Sequence, residues 1–201
     1  MKTLSNRAES WLRANYGTFK GSVRHALTWS QWLAGGLDDV VRPDLSGVNR
    51  LVFVCLGNIN RSCFAESVAR RMGASACSIG LSTTTGAPAF PRAVATAEHF
   101  GIDLSAHRAT NLSDHRPLAG DLLLAMEVRH VRRLQLSDLA GIPVALLGGW
   151  GSPQRLHIHD PHVLSPEYFQ TCFTLIEAAT RNLVLDWRRQ REPSPPEAAP
   201  S

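Results

Sequence analysis

One short segment of the sequence constrains the fold more than any other. Residues 50–62 read Arg-Leu-Val-Phe-Val-Cys-Leu-Gly-Asn-Ile-Asn-Arg-Ser, so an apolar, valine-rich run ends at Cys55 and a short polar turn follows it. A stretch compatible with a helix, from Phe64 to Met72, comes next. The pattern predicts a strand, a tight turn and a helix N-terminus around Cys55. Backbone N–H groups and the helix dipole would converge there, which favours a bound anion and a thiolate.

From residue 50 onward, apolar strands alternate with helical segments. We predict four strands, at Leu51–Val54, Cys77–Leu81, Leu122–Ala125 and Val144–Leu147. We predict four helices, at Ser62–Met72, Arg92–Phe100, Val128–Leu136 and Pro166–Arg189. This alternation is typical of an α/β fold in which a parallel sheet is covered by helices on both faces.

The chain length suits one domain with extensions at its ends. The 201 residues exceed a domain of roughly 150 residues. We predict a helical N-terminal extension over 1–48, a main domain over 49–190 and a disordered tail over 191–201. The tail is rich in Pro, Ala, Ser and Glu, a composition that buries little apolar surface.

The N-terminal extension has two interpretations. It contains Trp11, Trp29 and Trp32, and helices are plausible at 5–16 and 22–34. The helices either pack on the main domain or dock a partner or a membrane surface. The second interpretation draws on Trp29 and Trp32, which are three residues apart and so share a helix face.

Composition excludes several classes of protein. The net charge is +4 and no basic run exceeds two residues, so we expect no nucleic-acid partner. The four cysteines are scattered without a CxxC pair, which favours reduced thiols and no metal site. The N-terminus lacks the apolar core of a signal peptide, and no run approaches the ~20 apolar residues of a membrane span. We therefore expect a cytoplasmic protein without a transmembrane segment.

The residues after Cys55 suit phosphate chemistry. Ligands of open α/β sheets bind beyond the carboxyl ends of the strands, where Cys55 is predicted to lie. Gly57 allows close backbone approach, and Asn58 tolerates a left-handed conformation. Arg61 offers a fork of donors that matches phosphate oxygens. Ser62 would begin the helix and donate its hydroxyl proton to the thiolate.

The segment resembles the phosphate-binding loop of the low-molecular-weight protein tyrosine phosphatases, whose pattern is close to V-C-x-G-N-I-C-R-S-P. Three further motifs follow in the family's order: Gly-Ile-Asp-Leu-Ser-Ala-His-Arg-Ala at 101–109, Asp-Leu-Leu-Leu-Ala-Met-Glu at 121–127, and His-Asp-Pro at 159–161. The resemblance covers about 140 residues and implies a three-layer, doubly wound fold with a four-stranded parallel sheet in the order 2-1-3-4.

The resemblance also implies a two-step mechanism without metal or cofactor. Cys55 attacks phosphorus and forms a cysteinyl-phosphate, while Arg61 and the loop N–H groups bind the phosphate oxygens. Asp160 protonates the leaving oxygen and then activates water. The implied phosphate-binding loop and its supporting hydrogen-bond network comprise Leu56, Gly57, Asn58, Ile59, Asn60 and Ser62, together with Ser82 and His107.

The chain departs from the family pattern at the loop and at the cleft walls. Asn60 replaces a cysteine that can protect the oxidised nucleophile as a disulfide, so we expect peroxide to inactivate the protein with poor recovery by dithiol. Cys63 stands where the family has proline. His162 replaces an aromatic residue beside the Asp-Pro pair, and Phe90 is the candidate for the other wall. Weaker walls would reduce stacking on phosphotyrosine.

Several functions stay open at this point. The leading interpretation is a phosphomonoester hydrolase of the protein tyrosine phosphatase type, acting on a phosphorylated protein. One alternative is a phosphatase for a small phosphomonoester other than phosphotyrosine. An arsenate reductase would need further thiols as a relay, and Cys77 and Cys172 are poorly placed for that role. A non-catalytic phosphate-binding module would need neither Cys55 nor Asp160.

Overall fold

The sheet is built around the strand that ends at Cys55. In the computed structural model, which describes residues 2–191 and the side chains from residue 6 onward, the strands are β1 (Arg50–Cys55), β2 (Ala76–Gly80), β3 (Asp121–Ala125) and β4 (Val144–Leu146). All three strand pairs are parallel and the order is β2-β1-β3-β4. The predicted sheet is confirmed.

Six α-helices accompany these strands in the described range. They are α1 (Lys2–Tyr16), α2 (Phe19–Leu33), α3 (Arg61–Arg71), α4 (Pro91–Glu98), α5 (Val128–Gln135) and α6 (Pro166–Arg191). Short 3₁₀ helices, which the sequence pattern did not predict, lie at Asp38–Val40, Leu112–Asp114 and Leu147–Trp150. None of the described helices is both long and apolar enough to cross a lipid bilayer.

The alternating side chains of β1 separate two apolar layers. Phe53 lies in the layer that contains α3 and α6, where the rings of Phe64 and Phe173 stack with centroids 4.1 Å apart. Val52 and Val54 face the opposite layer, which contains α5. Every residue of β1 after Arg50 is buried. The sheet is therefore covered on both faces, as the apolar strands predict.

The N-terminal helices pack on the main domain, which is the first of the two predicted interpretations. Helix α1 contacts α6, and Trp32 and Leu37 join the apolar layer on the α5 side of the sheet. The extension thus reaches from one face of the sheet to the other.

The predicted tail lies outside the described residues, apart from its first residue. Helix α6 continues through Arg191, whose guanidinium lies over the Trp187 ring and donates to the Val48 carbonyl (2.7 Å).

Candidate active site

The turn between β1 and α3 directs its carbonyl groups outward. Three of them accept hydrogen bonds from other segments: Leu56 from the Ser82 N–H (2.8 Å), Asn58 from Nε2 of His107 (2.7 Å) and Ile59 from the Phe90 N–H (2.9 Å). A trans peptide holds its C=O and N–H on opposite sides. The N–H groups of Gly57, Ile59 and Asn60 therefore point to the inside of the loop, an arrangement suited to an anion.

Asn58 holds the loop in this shape. Its backbone is in the left-handed region (φ 52°), which asparagine tolerates better than most residues. Its buried side chain accepts a hydrogen bond from the Thr110 N–H (2.9 Å) and donates to the hydroxyls of Ser62 (2.9 Å) and Ser78 (2.7 Å). The local turn is thus tied to the neighbouring strand and helix.

Cys55 lies at the base of a cleft of about 180 Å³. Its Sγ accepts a hydrogen bond from the Asn58 N–H (3.2 Å) and is 3.0 Å from Oγ of Ser62. Because the Ser62 oxygen already accepts a bond from Asn58, its own proton is free to donate to the sulfur. Both contacts bring hydrogen-bond donors to the sulfur.

Arg61, the first residue of α3, is buried beside this cleft, with 0% of its surface exposed. Its Nη1 donates to Glu127 Oε1 (2.7 Å) and to the Ile158 carbonyl (2.8 Å). Its Nη2 is 2.8 Å from Asp160 Oδ2 as an ion pair, but neither Nε nor Nη2 donates a hydrogen bond within the described chain. Two buried N–H directions of one guanidinium are thus left for an anionic ligand, since buried donors are rarely unpaired.

Glu127 lies against the buried guanidinium of Arg61 and is not among the predicted site residues. It is 0% exposed; its Oε1 also accepts a hydrogen bond from Nη2 of Arg129 (2.9 Å), and its Oε2 is 2.8 Å from Arg129 Nε as an ion pair. Burial alone would raise the pKa of Glu127, but the charge of Arg61 and the bond from Arg129 hold it below its ordinary value. For Arg61, burial would lower the pKa, but the negative charges of Asp160 and Glu127 raise it above its ordinary value. The pair is charged.

Asp160 reaches the cleft from the loop that precedes α6. Its carboxylate lies against Arg61, and Oδ1 accepts a hydrogen bond from the His162 N–H (3.2 Å). Cys55 and Asp160 line the same cleft although 105 positions separate them in the sequence. The structure thus brings together the three predicted catalytic residues, Cys55, Arg61 and Asp160.

The supporting network differs from the prediction at one serine. Ser78 of β2 accepts a hydrogen bond from Asn58 and donates one to Glu66 Oε2 (2.5 Å). Ser78 thus takes the place in the network that we predicted for Ser82. Ser82 is exposed and lines the cleft, and its hydroxyl makes no hydrogen bond within the described chain. Strand β2 ends at Gly80, so Ser82 lies past the strand end and too far along the chain to face α3.

The two predicted cleft walls do not stand opposite one another. The rings of Phe90 and His162 pack edge to face with centroids 4.7 Å apart. A substrate ring held on both faces needs walls about 7 Å apart, so none fits between these two rings. His162 lines the cleft and its Nδ1 is 3.4 Å from Nδ2 of Asn60. Phe90 supports His162 from behind instead of forming the second wall.

The remaining cysteines are poor nucleophiles. Burial raises the pKa of Cys63, Cys172 and Cys77, the last to about 11. Cys63 donates to the Asn60 carbonyl (3.1 Å), so its thiol is engaged at the start of α3. All four cysteines are free, and these positions do not suit a thiol relay.

The histidines near Glu127 are neutral at physiological pH. Burial lowers the pKa of His157 to about 4 and that of His130 to about 3, and it also lowers the pKa of His159. The rings of His157 and His159 stack with centroids 5.7 Å apart.

Comparison with known proteins agrees with this geometry. The sequence profile of the family described as low molecular weight phosphotyrosine protein phosphatase matches residues 50–192. The chain is 34% identical over 137 residues to the low molecular weight protein-tyrosine-phosphatase Wzb of Escherichia coli K12, spanning 66% of this chain and 91% of that protein. The chain belongs to the low-molecular-weight protein tyrosine phosphatase family, and it is a hydrolase of that type.

Solved structures share the fold. The tyrosine phosphatase amsI of Erwinia amylovora aligns with a TM-score of 0.61 and 28% identity, covering 69% of this chain and 93% of that one. Wzb of Vibrio vulnificus, solved with benzylphosphonate, aligns with a TM-score of 0.60 and 28% identity over 70% of this chain and 99% of that one. The helices α1 and α2 precede the region that the family profile matches.

Proposed function

We propose that Cys55, Arg61 and Asp160 catalyse phosphate-ester hydrolysis through a cysteinyl-phosphate. The Cys55 thiolate attacks phosphorus, so that an S–P bond forms as the P–O bond to the leaving group breaks. Water then attacks the phosphorus, the S–P bond breaks and inorganic phosphate leaves. The observation that carries the proposal is the buried Arg61 guanidinium, whose Nε and Nη2 make no hydrogen bond within the described chain and which is ion-paired with Asp160, a residue that lines the same cleft as Cys55.

The loop and Arg61 bind the phosphoryl group in this proposal. The inward N–H groups of the loop bind the phosphoryl oxygens together with the Nε and Nη2 atoms of Arg61, which make no hydrogen bond within the described chain. Donors fixed before the reaction stabilise the charge that redistributes among the phosphoryl oxygens without reorganising. Glu127 keeps the guanidinium in place through the 2.7 Å bond to Nη1, on the side away from the ligand.

Asp160 acts as the general acid and then as the general base. A phenoxide or alkoxide leaves poorly without a proton, and Asp160 supplies one to the leaving oxygen in the first step. The ionised carboxylate accepts a proton from water in the second step. The position of Asp160 on the same cleft as Cys55 supports both roles.

We infer that the substrates are proteins phosphorylated on tyrosine. The relatives are named as protein-tyrosine phosphatases, and Vibrio vulnificus Wzb is described in complex with benzylphosphonate, an aromatic phosphonate. A small phosphomonoester is the second candidate, because Phe90 and His162 contact each other and leave a single aromatic side to the cleft. We place the protein in the cytoplasm, where reducing conditions keep the Cys55 sulfur in its reduced form.

Hydrolysis of p-nitrophenyl phosphate tests the assignments. We expect Cys55→Ser to abolish turnover and Asp160→Asn to slow it by about 10²-fold or more, the usual contribution of general acid catalysis. Undiminished activity of Cys55→Ser would overturn the mechanism. Ser67→Ala is a matched control, because this hydroxyl donates only to the Cys63 carbonyl of its own helix (3.0 Å).

A second assay separates the two substrate classes. The ratio of kcat/KM for phosphotyrosine peptides to that for small aliphatic phosphates measures the contribution of the cleft walls. A large ratio supports the tyrosine assignment, and a ratio near one favours the small phosphomonoester.

A further inference from the structure

The turn between α1 and α2 packs directly on the loop that precedes α6 and contains Asp160, which we call the acid loop. The guanidinium of Arg155 lies 4.3 Å from the Tyr16 ring centroid and donates to the Asn15 carbonyl (3.5 Å), before Asp160 in the sequence. After Asp160, Leu164 lies close against Gly17. The extension thus contacts the acid loop on both sides of the carboxylate.

Two glycines permit this close approach. A Cβ on Gly17, whose φ is +75°, would lie 2.7 Å from side-chain atoms of Leu164 and Tyr168. A Cβ on Gly21 would lie 3.2 Å from the ring of His159 and 2.2 Å from the Tyr16 carbonyl oxygen. These distances are shorter than ordinary van der Waals contact. The surfaces of the turn and of the acid loop are therefore in direct contact.

The central contact joins Thr18 to His159. Thr18 Oγ1 is 3.3 Å from Nε2 of His159, and the same oxygen caps α2 by accepting from the Gly21 N–H (2.9 Å). The Nδ1 atom of His159 is buried without a hydrogen bond in the described chain, so Thr18 is the only partner found there for the ring. A hydroxyl donates once and accepts twice, so it can serve this ring in either neutral tautomer.

His159 is also fixed through its backbone. Its carbonyl accepts from the hydroxyl of Tyr168 (3.2 Å), which is on α6. The residue immediately before Asp160 is thus held by α6 on one side and by the N-terminus of α2 on the other. A catalytic group that is misplaced by 1 Å can lose about 10²-fold in rate.

We propose that the α1–α2 turn positions the catalytic acid, with Thr18 and His159 acting as positioning residues that hold Asp160 beside Arg61. The proposal rests on the function proposed for Asp160. Neither Thr18 nor His159 touches the reacting atoms in this arrangement. They act by keeping the carboxylate where it reaches the leaving oxygen.

The test is the dependence of kcat/KM on the leaving group across a series of aryl phosphates. This ratio reports the step in which Asp160 protonates the leaving oxygen, so a poorly placed acid affects phenyl phosphate more than esters of strongly acidic phenols. We expect Thr18→Val to lower kcat/KM about tenfold for phenyl phosphate and less than about twofold for the most acidic phenol, the range of one hydrogen bond. Thr18→Ser restores the wild-type profile.

Two further variants test whether the loss of rate comes from misfolding. Thr18→Val also removes the cap of α2, so His159→Phe, which keeps a ring of similar size without nitrogen atoms, is measured beside it and should give the same selective loss. Ser22→Ala is the matched control, because that hydroxyl donates only to the Phe19 carbonyl (2.8 Å). It should leave the profile unchanged.

The Asp160→Asn variant distinguishes the two proposals. If Asp160 is the acid, this variant shows a steep leaving-group dependence, and adding Thr18→Val to it causes no further selective loss. A flat profile for Asp160→Asn would overturn both proposals. A steep profile for Asp160→Asn with an equal loss for every leaving group in Thr18→Val and His159→Phe would overturn only the positioning role.

Discussion

The buried ion pair between Arg61 and Glu127 leads to a prediction about stability. Glu127→Gln removes the charge that lies 2.7 Å from Arg61 while it keeps the volume of the side chain. Both residues are 0% exposed, so the guanidinium would keep only Asp160, which is partly exposed, as a counter-charge. Breaking a buried pair on one side typically costs about 3–5 kcal/mol. Because Asp160 retains part of the compensation, we expect a free energy of unfolding lower by about 3 kcal/mol, or a Tm lower by about 6–12 °C.

Urea unfolding at neutral pH measures this loss. Glu177→Gln is the control, since Glu177 pairs with Arg71 at 3.4 Å on the surface and such pairs contribute about 1 kcal/mol or less. A Glu127→Gln variant that unfolds within about 1 kcal/mol of the wild type would refute the reasoning about the buried pair.

The same pair gives this loss a pH dependence of known sign. The folded-state pKa of Glu127 lies below its ordinary value of 4.5, so ionised Glu127 contributes fully above that pH. Its contribution declines as the pH falls below 4.5 toward the folded-state pKa. The stability difference between wild type and Glu127→Gln should therefore narrow in acid. A difference that stays constant in acid would contradict this linkage.

Three further predictions concern the loop and the cleft. Peroxide should inactivate the wild type with little recovery under dithiol, and Asn60→Cys should restore recovery, which residual activity after reduction measures. His162→Tyr should raise kcat/KM for phosphotyrosine peptides relative to aliphatic phosphates by about 2–10-fold, the range of one aromatic contact, and an unchanged ratio would count against a wall role. Asn58→Ala should lower the free energy of unfolding by about 2 kcal/mol, because alanine disfavours the left-handed backbone and the bonds to Ser62 and Ser78 are lost. Asn58→Gly should lower the free energy of unfolding by less than Asn58→Ala does. Equal losses for the two variants in urea unfolding would show that the left-handed backbone conformation contributes nothing to the effect.

The strand, turn and helix around Cys55 could be predicted because local signals agree there. A β-branched apolar run specifies a buried strand, and Gly57 and Asn58 specify the turn. The network serine could also have been found, since Ser78 pairs with Phe53 in the parallel register and so shares the face that packs on α3. Alternation alone would place Ser78 and Ser82 on the same face, and the end of β2 at Gly80 is what excludes Ser82.

Contacts between distant loops left no local signal. Glu127 follows a strand and precedes a helix, where an acidic residue is commonly explained by the helix dipole, so its burial under Arg61 depends on tertiary structure. Phe90 and His162 are 72 positions apart, and only the fold places their rings in contact. The contact of Thr18 with His159 spans 141 positions and depends on how the extension packs.

Direct detection of the phosphorylated enzyme tests the proposed chemistry at its central step. Asp160→Asn, mixed with an aryl phosphate that has a good leaving group and then quenched, should form the intermediate and hydrolyse it slowly, because the variant lacks the base of the second step. Mass spectrometry of the peptides should find one phosphoryl group on Cys55. Turnover with no adduct on Cys55, or with the phosphoryl group on another residue, would contradict the mechanism.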